Sequence, residues 1–524
     1  MFSIDRFRLD WKVYLLPVLV GALAGVGAVA FRAIIVFIQN IAFDGKLSLE
    51  INDTIPLMSV LGNWVFLVPV VGFFIVGVLV IKFAPEAKGH GVPEVMTAVF
   101  TNKGKIRPRV AAIKIIASGI CIGTGGSSGR EGPIVQIGSS IGSAIGQILK
   151  LSGMETTTLL GCGAAAGIAA TFNAPLGGIL FTIELILPEF SVHTLVPLAL
   201  STSVATYIAR FLLGNDPTFL VPTYALNSGY ELFLYVLLGV LIGVVSILYI
   251  KVLYRIEDFF DDLKISPYLK PAIGGFIVGL AALAMFKIYG NYYIFGVGYS
   301  TVFEILSGQS SIGILLLLLL VFVKIFATSV TLGSGGSGGI FAPALYIGAC
   351  FGAAFGLFFN GLIPGIVSTP TAYANVGMGA IVGGTLGAPL TAIIMFFEMT
   401  KNYAIILPLT ISVVIARAFV HHNSEGTIYE IKLLRKGIKI PHERAIDMLS
   451  IAPVKDIMEA YDEDGGDLPK IYQYSSLQEA LILMNEKKVN EVLATNKSGN
   501  PIGVVKKDDI LYFYTNEKCR FRKR

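Results

Sequence analysis

The stretch GTGGSSGREGP, Gly123 to Pro133, carries five glycines and two serines and sets Arg130 beside Glu131. That charged pair stands in a chain that otherwise avoids charge. Of 524 residues, 54% are hydrophobic and only 14% charged, with a mean hydropathy of +0.73. A soluble protein of this length needs a more charged surface. Val13–Phe31 is uncharged for 19 residues, Thr156–Ile183 for 28 and Ile325–Phe397 for 73. A bilayer-spanning helix takes about 20 such residues, so the longest run holds several spans. The chain reads as an all-α polytopic membrane protein.

Secondary features agree. The N-terminus has mixed charge and no small-residue cleavage site, so no cleavable signal peptide is expected. Arg6, Arg8 and Lys12 flank the first span, and Lys432, Arg435, Lys436 and Lys439 follow the last. This bias predicts a multi-pass protein of the cell membrane with both termini cytoplasmic. Cys121, Cys162, Cys350 and Cys519 show no metal spacing and read as small hydrophobes. The net charge of +5 is modest, and no nucleic acid is expected as a partner.

Charge density divides the chain. Residues 422–524 hold 33 of the 75 charges, which predicts a membrane domain over 1–440 and a cytoplasmic tail over 441–524. Within the first, FNAPLGGILFTIELI (Phe172–Ile186) matches LGAPLTAIIMFFEMT (Leu386–Thr400) at an offset of 214. GGSSGREGP (Gly125–Pro133) matches GGSGGIFAP (Gly335–Pro343) at 210. Recurrence in one order at near-constant spacing predicts two related halves, about 13–213 and 230–421. Paired glycine and proline breaks at matching positions point to a transport site at mid-membrane.

GHGVPEV (Gly89–Val95), GREGP (Gly129–Pro133) and GIFAP (Gly339–Pro343) each place glycine and then proline near the start of an apolar run. Proline suits a helix's first turn. Helices that begin inside the bilayer bare N–H groups and the positive end of the dipole. Several converging ends bind an anion without a buried cation. Close helix packing explains one glycine-rich stretch; three of them, two repeat-related, favour a site. A phosphate-binding P-loop is excluded, because the Lys-Ser/Thr ending is missing. Glu131, an acid at such a helix start, is itself an anion and can occupy a site built for one. Protonation would release it, making Glu131 a pH-sensitive plug. Its repeat mate Phe341 has no carboxylate, so the fold uses the loop twice and the acid once.

These motifs, with GTIYEIKLLRKG (Gly426–Gly437), resemble the CLC family of chloride channels and proton/chloride exchangers over about 15–440. The resemblance implies a homodimer, one anion pathway per subunit, and halves of inverted topology with broken helices. It implies glutamate gating by Glu131 and an anion-binding set of His90, Gly91, Arg130, Gly132, Ile340, Phe341 and Tyr429. Chloride transport of the channel type is the first reading; a proton-coupled antiporter, or a carrier of another small anion, is the alternative. His90 stands where the family usually has serine. Leu185 stands where many exchangers carry the inner proton glutamate, leaving Glu131 as the proton-pathway residue. Glu184 and Glu398 are expected to bond backbone donors structurally.

The tail, about 452–516, looks like a single CBS motif, a small α/β module, with a turn at Ser498–Gly499. Gly503 and Asp509 fit the ends of the usual ribose-binding pattern, but Lys506 replaces the usual Thr/Ser. A dimer-stabilising or regulatory role is expected ahead of adenosine-nucleotide binding. The closing CRFRKR reads as a basic tail. Neither metal nor other cofactor is expected. An intramembrane hydrolase built on Glu131 and His90 ranks far lower, lacking a second carboxylate. A nucleotide sensor with a membrane anchor would not need 73 uncharged residues with paired breaks.

Overall fold

The computed structural model describes residues 11–49, 59–187, 192–215, 218–219, 228–308, 312–438, 452–460, 468–496 and 499–522. Arg6, Arg8, Lys439, Ser498 and the last two residues of CRFRKR lie outside the described residues. Two compact units divide the chain at Ile440 and Pro441.

The first unit is helical. In chain order it holds α1 (Trp11–Gln39), α2 (Leu67–Phe83), α3 (Val92–Thr101), α4 (Arg109–Gly123), α5 (Glu131–Ile148) and α6 (Gly153–Phe172). Next come α7 (Pro175–Phe181), with a π-helical turn over Thr182–Ile186, then α8 (Val192–Leu213), α9 (Glu231–Asp262), α10 (Leu269–Tyr289) and α11 (Tyr299–Leu306). The remainder are α12 (Ile314–Gly333), α13 (Phe341–Leu362), α14 (Pro370–Leu386), α15 (Pro389–Thr400), α16 (Ile406–Asn423) and α17 (Ile428–Arg435). Among the described residues, eight helical stretches are long and apolar enough to cross a membrane.

Local chemistry sets where these helices begin and end. Proline opens α7, α14 and α15, where its missing N–H leaves no intrahelical bond unmade. Capping boxes open α6 (Ser152 with Glu155) and α17 (Thr427 with Glu430). The α6 end turns on Asn173 at φ 56° and the α14 end on Gly387 at φ 79°, both in the left-handed region that stops helices.

Small residues hold the interior together. α5 packs along α6, and α13 along α14. A Cβ on Gly138 would strike the Gly163 carbonyl, and one on Gly163 would strike that of Gly138. The same mutual contact recurs between Gly348 and Gly377, 210 and 214 residues later. Such backbone proximity is how helices gain dispersion energy where lipid offers no hydrophobic drive. α7 and α15 clasp each other by reciprocal capping. Glu184 accepts from the Leu390 and Thr391 N–H groups at 3.0 and 2.7 Å, and Glu398 from Leu176 and Gly177 at 3.1 and 2.7 Å. Each carboxylate thus meets donors that a helix start leaves free.

The second unit carries a four-stranded sheet of order β1-β4-β3-β2. The strands are β1 (Glu459–Ala460), β2 (Lys470–Tyr472), β3 (Glu491–Thr495) and β4 (Pro501–Lys506). β2 and β3 pair in parallel through the crossover helix α18 (Leu477–Lys487), and the other pairs are antiparallel. α19 (Lys507–Arg522) follows β4. Leu477, Ala480, Met484, Val492, Ala494, Val505 and Ile510 form its core.

Candidate functional site

The three glycine-rich stretches meet inside the first unit. Gly129 and Gly339 exchange backbone hydrogen bonds at 2.7 and 2.6 Å, a one-residue antiparallel bridge between the loops before α5 and α13. The Gly89 N–H donates to the Gly336 carbonyl at 3.0 Å, and the Gly338 N–H to that of Gly89 at 3.3 Å. Hydroxyls reinforce the junction: Ser118 and Ser337 share a bond at 2.9 Å, and Ser127 and Thr328 one at 3.2 Å. Buried backbone at this depth must be paired, and these bridges pair it.

Glycine is required at the contact. Gly91 precedes α3 at φ 86°, and a Cβ there would lie 2.7 Å from the Gly132 carbonyl oxygen. A Cβ on Gly132 would strike the His90 carbonyl and come within 3.1 Å of the Gly339 Cα. The first turns of α3, α5 and α13 therefore converge as closely as backbone allows. Their free N–H groups and dipoles make one region of positive potential.

Glu131 occupies that region. It opens α5 and is 1% exposed. Its Oε2 accepts from the Ala342 N–H in the first turn of α13 at 3.4 Å, and its Oε1 from the Tyr299 hydroxyl at 2.8 Å. The carboxylate lies over Gly129, where a Cβ would strike Oε2. The Arg130 guanidinium stands 5.4 Å from the Tyr299 ring centroid. Ile340 and Phe341 are buried, and the Phe341 ring packs on Phe172 at 5.1 Å.

Ile340, Phe341, Tyr299 and Tyr429 share one buried apolar cluster. The segment bearing Tyr429 is fixed at several points: the Tyr254 hydroxyl donates to the Ile428 carbonyl, Lys432 pairs with Glu257, and Lys436 pairs with Glu94 of α3. His90, 5% exposed, lines a cavity with Glu94, Glu257, Lys432 and Lys436. Its Nδ1 is buried and meets no hydrogen-bond partner among the described residues. A separate cavity is walled by Arg32, Arg130, Asn173, Arg210 and Tyr299. Leu185 is buried in the shared cluster and offers no proton. Gly503 and Asp509 belong to the second unit: Gly503 lies in β4, and Asp509 opens α19 with Oδ2 buried and unpartnered among the described residues.

Three residues escape the sequence reading. Lys114 of α4 is fully buried and donates to the Ala87 and Gly89 carbonyls, both at 2.9 Å. Lys324 of α12 is equally buried and donates to the Ile294 and Gly296 carbonyls at 3.3 and 3.1 Å. The two lysines stand 210 residues apart, the offset of the glycine loops, and their acceptors Gly89 and Gly296 stand 207 apart. The third is Tyr299, in GVGYS (Gly296–Ser300), which echoes GHGVP (Gly89–Pro93) at the same 207. Extending the repeat alignment to these loops would have found all three.

Residues 72–421 match the family model described as voltage gated chloride channel. The chain is 36% identical over 448 residues to the H(+)/Cl(-) exchange transporter ClcA of Vibrio cholerae serotype O1, spanning 83% of this chain and 92% of that one. To ClcA of Vibrio parahaemolyticus it is 34% identical over 416 residues, 78% of this chain and 86% of the relative. A slow cyanobacterial Cl-/H+ antiporter superposes with a TM-score of 0.70 at 28% identity, covering 81% of this chain and 98% of that chain. A eukaryotic CLC transporter shares the fold, with a TM-score of 0.67 at 18% identity over 95% and 98% of the two chains. With converging helix starts and a buried acid lying across them, this multi-pass membrane chain belongs to the voltage gated chloride channel, or CLC, family of anion transporters.

Proposed function

We propose that the protein exchanges chloride for protons through a pathway gated by Glu131. The observation that carries this reading is the Glu131 carboxylate resting on the Ala342 N–H, where α13 begins. A chloride ion seeks the same donors and the same dipole end. Ionised Glu131 plugs the site; protonated Glu131 loses its charge, yields to chloride and carries the proton. Exchange is favoured over the channel reading reached first from sequence, because relatives at 34% and 36% identity bear exchanger names.

Leu185 removes the usual inner proton acceptor from this scheme, so Glu131 alone carries the proton between the two sides. His90 is proposed to donate to the anion with Gly91, Arg130 and Gly132 near it, and Ile340, Phe341 and Tyr429 to complete the pathway. The glycine contacts repeated between α5–α6 and α13–α14 support two halves of inverted topology. α7, α8, α15 and α16 expose Leu176, Phe211, Leu390 and Leu407, apolar surface open to lipid or to the second copy of the homodimer that the family resemblance implies. The parallel β2–α18–β3 crossover supports a CBS-type tail that acts in dimer stability or regulation, with nucleotide binding at Gly503 and Asp509 secondary. Basic flanks support cytoplasmic termini in the cell membrane.

The test is reconstitution in sealed liposomes under opposed chloride and proton gradients. Exchange drives protons uphill; a channel carries chloride with no proton movement. Glu131→Gln, neutral at every pH, is expected to keep chloride flux, abolish its pH dependence and end proton movement. Unchanged flux and pH dependence in that variant would sink the gate.

A further inference from the structure

Tyr299 is the group that reaches Glu131 from outside the three glycine loops. Its hydroxyl donates to Oε1 at 2.8 Å, while the α13 backbone takes Oε2 at 3.4 Å. The shorter of the two bonds to the plug thus comes from a side chain. Tyr299 is buried, and its position is set from several directions. Its ring packs edge-on against Phe219 at 5.5 Å and stands under the Arg130 guanidinium. Its backbone opens the short helix α11 behind Gly298, held at φ 87°. The loop before it is pinned by Lys324, whose ammonium grips the Ile294 and Gly296 carbonyls and lies 5.0 Å from the Tyr346 ring centroid. A Cβ on Gly298 would come 2.7 Å from that ring and 3.2 Å from Lys324 Nζ, so the turn leaves little slack.

Resting on the gate reading above, we infer that Tyr299 is a latch: its hydroxyl holds ionised Glu131 in the plugging position and sets the acidity at which the pathway opens. The physical reason is one-sided. A hydroxyl that donates to a carboxylate stabilises the charged form, and that bond weakens when the acid protonates. Lys324 acts through the loop as a positioning residue.

The groups acting electrostatically on this carboxylate are few. Arg130 precedes it, Tyr299 comes from α11, Tyr429 from α17, and α13 offers the Ala342 N–H. On the other elements packed against α5, Lys114 of α4 is engaged with the Ala87 and Gly89 carbonyls, and Glu94 of α3 with Lys436. Arg32 of α1 lines the cavity beside Arg130. Tyr299 brings a side-chain hydroxyl donor directly onto the plug.

The test measures chloride flux against pH in liposomes for the full chain, Tyr299→Phe, Glu131→Gln and the double variant. Tyr299→Phe keeps the ring and removes the donor. Losing a charge-assisted bond is expected to shift the plugged-to-open ratio roughly tenfold and move the flux–pH curve up by about one unit. Replacing Tyr299 with 3-fluorotyrosine, the stronger donor, is expected to move the curve down. In the Glu131→Gln background, Tyr299→Phe is expected to change nothing. A parental pH curve for Tyr299→Phe and the fluorinated protein, with Glu131→Gln still flattening it, overturns the latch and leaves the gate standing. If Glu131→Gln itself keeps the parental curve, gate and latch fall together.

Discussion

Gly129 has no room for a side chain because the acid two residues on folds back across it. The carboxylate oxygen occupies the place where a Cβ would stand. Gly129→Ala is therefore expected to push Glu131 off its seat, raising chloride flux at neutral pH and flattening the pH curve; an efflux assay reads both. His90 supplies a second residue-scale expectation. Its buried, unpartnered Nδ1 is a potential donor at the mouth of a lysine-rimmed cavity. His90→Ser is expected to alter the relative inhibition of chloride flux by nitrate and bromide. Equal competition profiles before and after would remove His90 from the anion path. Glu131 was legible in sequence because a charge is conspicuous in an uncharged run. Tyr299 is marked only by the echo of GHGVP in GVGYS, because one aromatic among many gives no hint of where its hydroxyl points. Lys324 stands inside α12 between two apolar runs, and only its 210-residue offset from Lys114 marks it in the sequence.

Helices that face lipid and helices that face protein are built from different residues. α2 and α12 are rich in large aliphatic side chains and declare themselves as spans. α5 and α14 carry glycine, serine, glutamine and asparagine, and most of their residues are buried. They need close approach more than apolar bulk, so hydropathy underrates them while repeat spacing finds them. The reciprocal Glu184–α15 and Glu398–α7 capping joins the two matching stretches FNAPLGGILFTIELI and LGAPLTAIIMFFEMT; its crossed pairing comes only from the fold. The Gly138–Gly163 crossing gives an element-scale prediction. Gly163→Leu drives a side chain into the α5 backbone, and overpacking of this kind costs at least about 1–3 kcal/mol. Its repeat counterpart Gly377→Leu is expected to lower the melting temperature in detergent similarly. A wild-type melting curve for either variant would show that the helices separate freely.

The division at Ile440 has a consequence for the whole molecule. Glu131, Tyr299, Ile340, Phe341 and Tyr429 all lie in the first unit, so a chain ending at Ile440 is expected to transport chloride in liposomes with the parental pH curve. Loss of flux from a properly folded truncation would show that transport depends on the tail's proposed role in dimer stability or regulation. The charge density of residues 422–524 set the expectation of a membrane domain over 1–440 and a tail over 441–524, because soluble surface and lipid-facing surface demand opposite compositions. The bridges between the glycine loops reach further, into how the protein is made. Gly129 exchanges its backbone bonds with Gly339, and the Gly89 N–H donates to the Gly336 carbonyl. At roughly 5–20 residues per second, the partner loop leaves the ribosome some ten to forty seconds after the first. For that interval the emerging half holds unmet polar backbone at mid-membrane. Two halves expressed as separate chains are therefore expected each to be degraded alone and rescued together, read by their levels in membranes.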